Sequence, residues 1–225
     1  MASIAMASNR TALAVVLEEP AAATPSRIEQ IRAKALQLFA ERGFAQVSMR
    51  ELALHSGITA GALYHHFVSK EQLLFELIEE FYDDLHAMFA LSETGTPMQR
   101  LQALVQAHIA LHERRRLHFL MAEQEFRCLD AAHQQQILRL RGSYEDKFLQ
   151  RLQAAGATAS TATLKACVQG LVVWLNSLPS SSAHCALSAE QRRALIGAMA
   201  LGALSAVLGP QCVAMTYPSG AAARH

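Results

Sequence analysis

Three groups of residues in this 225-residue chain have the types and spacing to do chemistry. His108 and His112 stand four positions apart, followed by Glu113, His118 and Glu123. That spacing puts both imidazoles on one face of a helix, an arrangement able to hold zinc or copper. The run from His108 to Glu113, "HIALHE", has no acid between its histidines and so lacks the general base of an HExxH hydrolase. A structural or surface role is therefore the expectation for these three histidines. Arg141 precedes Tyr144-Glu145 by three residues. Its guanidinium could hold a phosphate through two parallel hydrogen bonds, or simply pair with Glu145 one turn away. The third group is Leu52–Phe67, "LALHSGITAGALYHHF", where small residues and a glycine lead to a Tyr-His-His tip. None of these groups pairs a nucleophile with a base, and no phosphate loop or metal cluster is present. The sequence therefore implies neither an enzyme nor a cofactor.

The elements that must position these residues are helices throughout. Ser26 can cap a first helix whose apolar face is Ile28, Ile31, Ala35, Leu38 and Phe39, ending at Gly43 in the left-handed position. Ser48-Met-Arg-Glu51 is a capping box that opens a second, ending at Gly57. Thr59 caps a third over 59–66, and Ser69-Lys-Glu-Gln72 opens a long fourth that runs to about Ser92. Further helices are expected over 98–112, 116–129, 132–154, 160–178 and 189–208, with no strand and no internal repeat. The chain is all-α. It divides into a leader at 1–24, a helix-turn-helix domain at 25–70, a helical domain at 71–210 that binds ligand and dimerises, and a tail at 211–225.

Composition narrows the partners. Apolar residues make up 52% of the chain and the net charge is +1, so any nucleic-acid surface must be local. Between Pro25 and Lys70 six Lys/Arg face three Glu, a modest basic excess suited to phosphate contacts. The four cysteines, Cys128, Cys167, Cys185 and Cys212, have no zinc-like spacing and read as reduced thiols of a cytoplasmic protein. The most apolar run, 194–209, is shorter than the ~20 residues a bilayer needs, so no membrane segment is expected.

Two short helices joined at Gly57 and braced by a longer one make a helix-turn-helix. Leu52, Ile58, Leu63 and Phe67 would share a small core with Phe39 and Phe44, with Ala53 at the helix crossing. The opposite edge would then show Thr59, Ala60, Gly61, Tyr64 and His65. Short residues there let a helix backbone sink into the major groove. Ser48, Arg50 and Lys70 would take phosphates.

The stretch Ala35–Leu74, with its Phe39-x-x-x-Gly43-Phe44 run and the tip Leu63–Phe67, resembles the DNA-binding domain of the TetR family of one-component transcriptional regulators. The resemblance implies a homodimer on a palindromic operator, each third helix in a major groove. It also implies a small-molecule effector held inside the C-terminal helices, whose binding resets the separation of the two DNA-reading heads and releases a repressor. Ala60 departs from the Lys or larger polar residue that members often carry. Residues 122–153 resemble the central helices of members that sense acyl-CoA thioesters, although Ser143 stands where a second Arg is usual. On that resemblance Arg141, Tyr144, Trp174, Phe119 and Phe126 are the candidate effector contacts. The last two helices, rich in Leu, Ala and Gly, are the expected dimer interface. The competing reading is a non-catalytic helical dimer that acts in protein interaction without recognising an operator.

Overall fold

Local capping chemistry decides where the helices begin. In the computed structural model, which describes residues 25–91, 93–181 and 187–208, Ser26 and Glu29 close a complete capping box on α1 (Arg27–Arg42). Gly43 follows at φ 83°, ψ 141°, a positive φ open to glycine, though more extended than the left-handed turn expected there. A single 3-10 turn, Phe44–Gln46, leads to α2 (Met49–Ser56). Ser48 accepts the Glu51 amide at 3.2 Å, but the Glu51 carboxylate is bound to Arg42 instead of reaching back. Only half of that capping box forms. The same holds for Ser69, which accepts the Gln72 amide at 2.9 Å while the Gln72 side chain turns to Glu76. Gly57 supplies the left-handed stop, φ 68°, ψ 37°.

Thr59 caps α3 (Ala60–His66), and α4 (Lys70–Leu91) runs from this head into the rest of the molecule. Then come α5 (Pro97–Arg114), α6 (Arg116–Gln124), α7 (Ala131–Ala154), α8 (Thr161–Ser181) and α9 (Ala189–Ser205). The helix expected over 116–129 stops at Gln124 and continues as a 3-10 turn at Phe126–Cys128. Arg115 is the joint between α5 and α6, held by Glu80 at 3.1 Å and Asp84 at 2.7 Å. An isolated antiparallel bridge, Ala157 to Leu208, ties the end of α9 to the α7–α8 connection.

One apolar core runs from Phe39, Leu52, Leu63 and Phe67 in the head through Phe81 and Leu85 of α4 to Phe119, Phe148 and Leu175. Among the described residues no helix is long and apolar enough to cross a membrane. The leader at 1–24, the tail at 211–225, Cys185 and Cys212 lie outside the described residues.

Candidate nucleic-acid interface and sensor core

The head is held by its own charges. Arg27 Nη2 donates to the carbonyls of Ser56 and Gly57 at 3.1 and 3.2 Å, and Lys34 Nζ to that of His55 at 3.2 Å. These cations sit at the C-terminal end of α2, where unsatisfied carbonyls concentrate negative charge. Arg32 binds Glu76 and so ties α1 to α4. Lys70 Nζ donates to the carbonyls of Phe44 and Val47, both at 2.8 Å, and stands 4.2 Å over the Phe44 ring. Partial burial lowers its pKa. In this geometry Lys70 braces the start of α4, and its ammonium is not turned outward to a phosphate. Among the described residues of the head, Arg50 is the one cation with no ion pair or hydrogen bond.

The opposite edge is bare. Leu63 and Phe67 are buried, while Gly61, Tyr64, His65 and His66 are exposed, Tyr64 at 53%. Thr59 is exposed with its hydroxyl on the Ala62 amide at 3.1 Å, and Ala60 is half-buried against the core. Ser48 and Arg50 lie exposed at the start of α2. Ser48, Arg50, Thr59, Gly61, Tyr64 and His65 are thus all exposed, whereas Lys70 is half-buried on two carbonyls. Leu54, 81% exposed on α2, was not anticipated. Its apolar type suggested the interior, whereas the register set by Leu52 and Ala53 turns it out.

A second polar constellation lies in the interior of the C-terminal helices. His108, His112 and His118 are all buried, so of the two expected roles the surface one is excluded. His108 Nδ1 is 2.6 Å from the Tyr144 hydroxyl, and His108 Nε2 is 3.1 Å from His112 Nε2. The His112 ring stacks on Phe119 with planes 18° apart. Burial lowers the pKa of His108 to about 3 and, with the neighbouring His108 adding to it, that of His112 to about 2. Burial also raises that of the Tyr144 hydroxyl. All three groups are neutral.

Toward the surface, Glu123 Oε1 accepts from Arg141 Nη2 at 2.9 Å and from Asn176 Nδ2 at 3.0 Å. Arg141 therefore pairs with Glu123 on α6, not with Glu145 on its own helix. Asn176 acts on the His112 imidazole, so rim and interior are adjacent. Of the candidate effector contacts, Phe119 and Tyr144 converge on the histidine pair and Arg141 stands at the rim. Phe126 and Trp174 are half-buried at the edge of the core. Asn176 was missed, and Glu123 was singled out only beside the histidines, not as the partner of Arg141. The lone amide in the apolar run "LVVWLNSL" was a usable signal for Asn176, whereas nothing local marks the pairing of Glu123 with Arg141.

The last two helices divide their apolar residues between the core and the surface. Leu164, Val168, Leu171, Val172 and Leu175 are buried within the subunit. The outward stripe of α8 is instead Ala162, Ala166, Gly170 and Val173, and that of α9 includes Ala194, Leu195, Ala198 and Met199. Val173 is 61% exposed.

Comparison with known proteins agrees with this architecture. Residues 31–77 match the family described as bacterial regulatory proteins, tetR family, and residues 94–177 match the tetracyclin repressor-like C-terminal domain. The chain is 40% identical over 84 residues to the HTH-type transcriptional repressor KstR2 of Mycobacterium tuberculosis, covering 36% of this chain and 42% of that protein. The alignment thus spans about two fifths of that relative's length. The structure of the ketosteroid transcriptional regulator KstR2 of Mycobacterium tuberculosis superposes with a TM-score of 0.69 at 21% identity, covering 83% of this chain and 97% of that one. AibR, in complex with isovaleryl coenzyme A and operator DNA, superposes with a TM-score of 0.68 at 22% identity, covering 77% and 97%. With both halves matched in order and the fold shared along most of its length, this chain belongs to the TetR family of transcriptional regulators.

Proposed function

We propose that this chain is a cytoplasmic, homodimeric repressor that binds a two-fold symmetric operator and leaves it when a small organic effector enters the C-terminal helices. The observation that supports it most is the exposure of Gly61, Tyr64 and His65 on α3, while Leu63 and Phe67 are buried and Arg32 and Lys70 tie the head to α4. Phosphate contacts position such a head and base-edge contacts from α3 carry sequence. The outward stripes of α8 and α9 supply an apolar, small-residue face on which a second copy packs across a two-fold axis. Selection from a random duplex pool tests the reading: the protein enriches an inverted repeat, and a pool that stays random refutes it. Met199→Glu should leave each subunit folded, convert dimer to monomer in sedimentation, and weaken binding to the enriched duplex at least about tenfold.

The effector is taken to be an acyl-CoA thioester, with its charged end at Arg141. Support comes from the half-buried guanidinium, paired with Glu123 at the rim of an apolar, neutral interior, and from the neighbour that holds isovaleryl coenzyme A. With that thioester as probe, Arg141→Ala should weaken ligand-induced release from DNA while DNA affinity stays unchanged. Release at the wild-type concentration would remove Arg141 from the site.

A further inference from the structure

The helix that leaves the head meets the sensor at a cluster of three side chains. Glu71 lies in the first turn of α4, Asp130 is the N-cap of α7, and His133 follows in the first turn of α7. Each carboxylate holds a backbone amide with one oxygen. Asp130 Oδ1 accepts the His133 amide at 2.8 Å, while Oδ2 stands 3.5 Å from His133 Nδ1. Glu71 Oε1 accepts the Asp130 amide at 3.0 Å, and the two Glu71 oxygens stand 2.9 and 3.1 Å from the same nitrogen. The imidazole is held in turn by stacking on Phe75, with centroids 4.0 Å and planes 13° apart. One Nδ1 hydrogen therefore serves two carboxylates, and among the described residues no Lys or Arg pairs with either of them. Backbone amides and an aromatic ring fix the three groups from outside, which is how outer-shell contacts orient metal ligands.

We propose that Glu71, Asp130 and His133 bind a divalent first-row transition ion such as zinc, with Glu71 Oε2, Asp130 Oδ2 and His133 Nδ1 as its ligands. One ligand atom from each residue can be chosen so that all lie within 4.8 Å of one another. Donors about 2.0–2.2 Å from a tetrahedral zinc stand roughly 3.3–3.6 Å apart, so small side-chain shifts close the site. The ion takes the Nδ1 lone pair, the ring hydrogen resides on Nε2, the two carboxylates balance the charge, and water completes the coordination. An imidazole beside two carboxylates suits zinc and disfavours magnesium and calcium, which prefer oxygen alone. With Glu71 on α4 and the other two ligands on α7, the ion staples the helix leaving the head to the sensor. Glu71 and Asp130 are 59 residues apart, so no spacing in the sequence marks the group.

Zinc titrated calorimetrically into the full-length, untagged protein at neutral pH should bind one ion per subunit and raise the melting temperature. Asp130→Ser keeps an N-cap oxygen while removing the carboxylate. It should melt as the wild type does without zinc and bind zinc at least about tenfold more weakly. His133→Gln should weaken zinc binding by at least as much, and magnesium should neither bind nor stabilise. Zinc affinity unchanged in both variants would place the ion elsewhere in the chain and overturn the proposal. So would a wild-type protein that takes up no zinc, in which the three groups serve one another by hydrogen bonds alone. Magnesium binding as tight as that of zinc would overturn it too, because the imidazole would then contribute nothing. None of these measurements uses DNA, so the staple and the repressor stand or fall separately.

Discussion

The head and the sensor core treat their polar groups in opposite ways. In the head, cations end on carbonyls and carboxylates at the surface: Arg27 and Lys34 at the end of α2, Arg42 on Glu51, Lys70 on two carbonyls. The result is a small unit stiffened from outside, whose reading edge carries little charge. In the sensor, neutral imidazoles and a phenol are drawn inside, with the half-buried Asn176 amide beside the His112 ring. A stiff reader and a neutral, buried polar core suit a gated regulator. A ligand shifts an equilibrium only through a difference in affinity between two arrangements.

Acid should break the sensor first, and this is the largest expected effect. The pKa values of His108, His112 and His118 are lowered by burial to about 3, 2 and 4, against about 6.5 when unfolded. Below about pH 6.5 the unfolded chain takes up protons that the folded chain refuses, so stability falls as pH falls. Each histidine should remove about 2 kcal/mol between pH 7 and pH 5. Urea melts across that range check it, and a flat profile would place these imidazoles in water. Next in size, Phe67→Ala in the head should cost about 3–5 kcal/mol, the range for a large buried aromatic. It should abolish duplex binding while the C-terminal helices keep a cooperative melt of their own.

A smaller pair of substitutions sharpens the contrast inside the head. Lys70→Met removes two hydrogen bonds from a charged donor and should cost about 1–3 kcal/mol of stability, with the salt dependence of duplex binding unchanged. Arg50→Gln should leave stability within about 0.5 kcal/mol and reduce the salt slope by about one. If Lys70→Met changed the slope and not the melt, Lys70 would be the phosphate ligand and the brace would be refuted.

Much of the head was legible because its signals are local. Ser26, Ser48 and Thr59 cap within four residues, and Gly57 stops α2 in the left-handed region. The second half of the Ser48 capping box was not legible. Glu51 meets Arg42, nine residues earlier, only after α1 and α2 have crossed. Arg141 and Glu123 are eighteen residues apart and meet because α6 and α7 both pack against α4 and α8, so spacing pointed to Glu145 instead. In α8 an apolar residue could serve either the core or a second subunit, and period alone could not assign Leu171 to one and Val173 to the other. His108 and His112 were noticed through their spacing, but their link to Tyr144 depends on a helix that comes thirty-six residues later.

The most direct test of the reading edge is fluorescence-anisotropy titration of wild type, Tyr64→Ala and His65→Ala on the selected duplex and on a scrambled one. Both variants should melt like wild type, lose at least about tenfold affinity for the selected duplex and keep the weak affinity for the scrambled one. Variants that bind both duplexes as the wild type does would show that α3 does not read DNA.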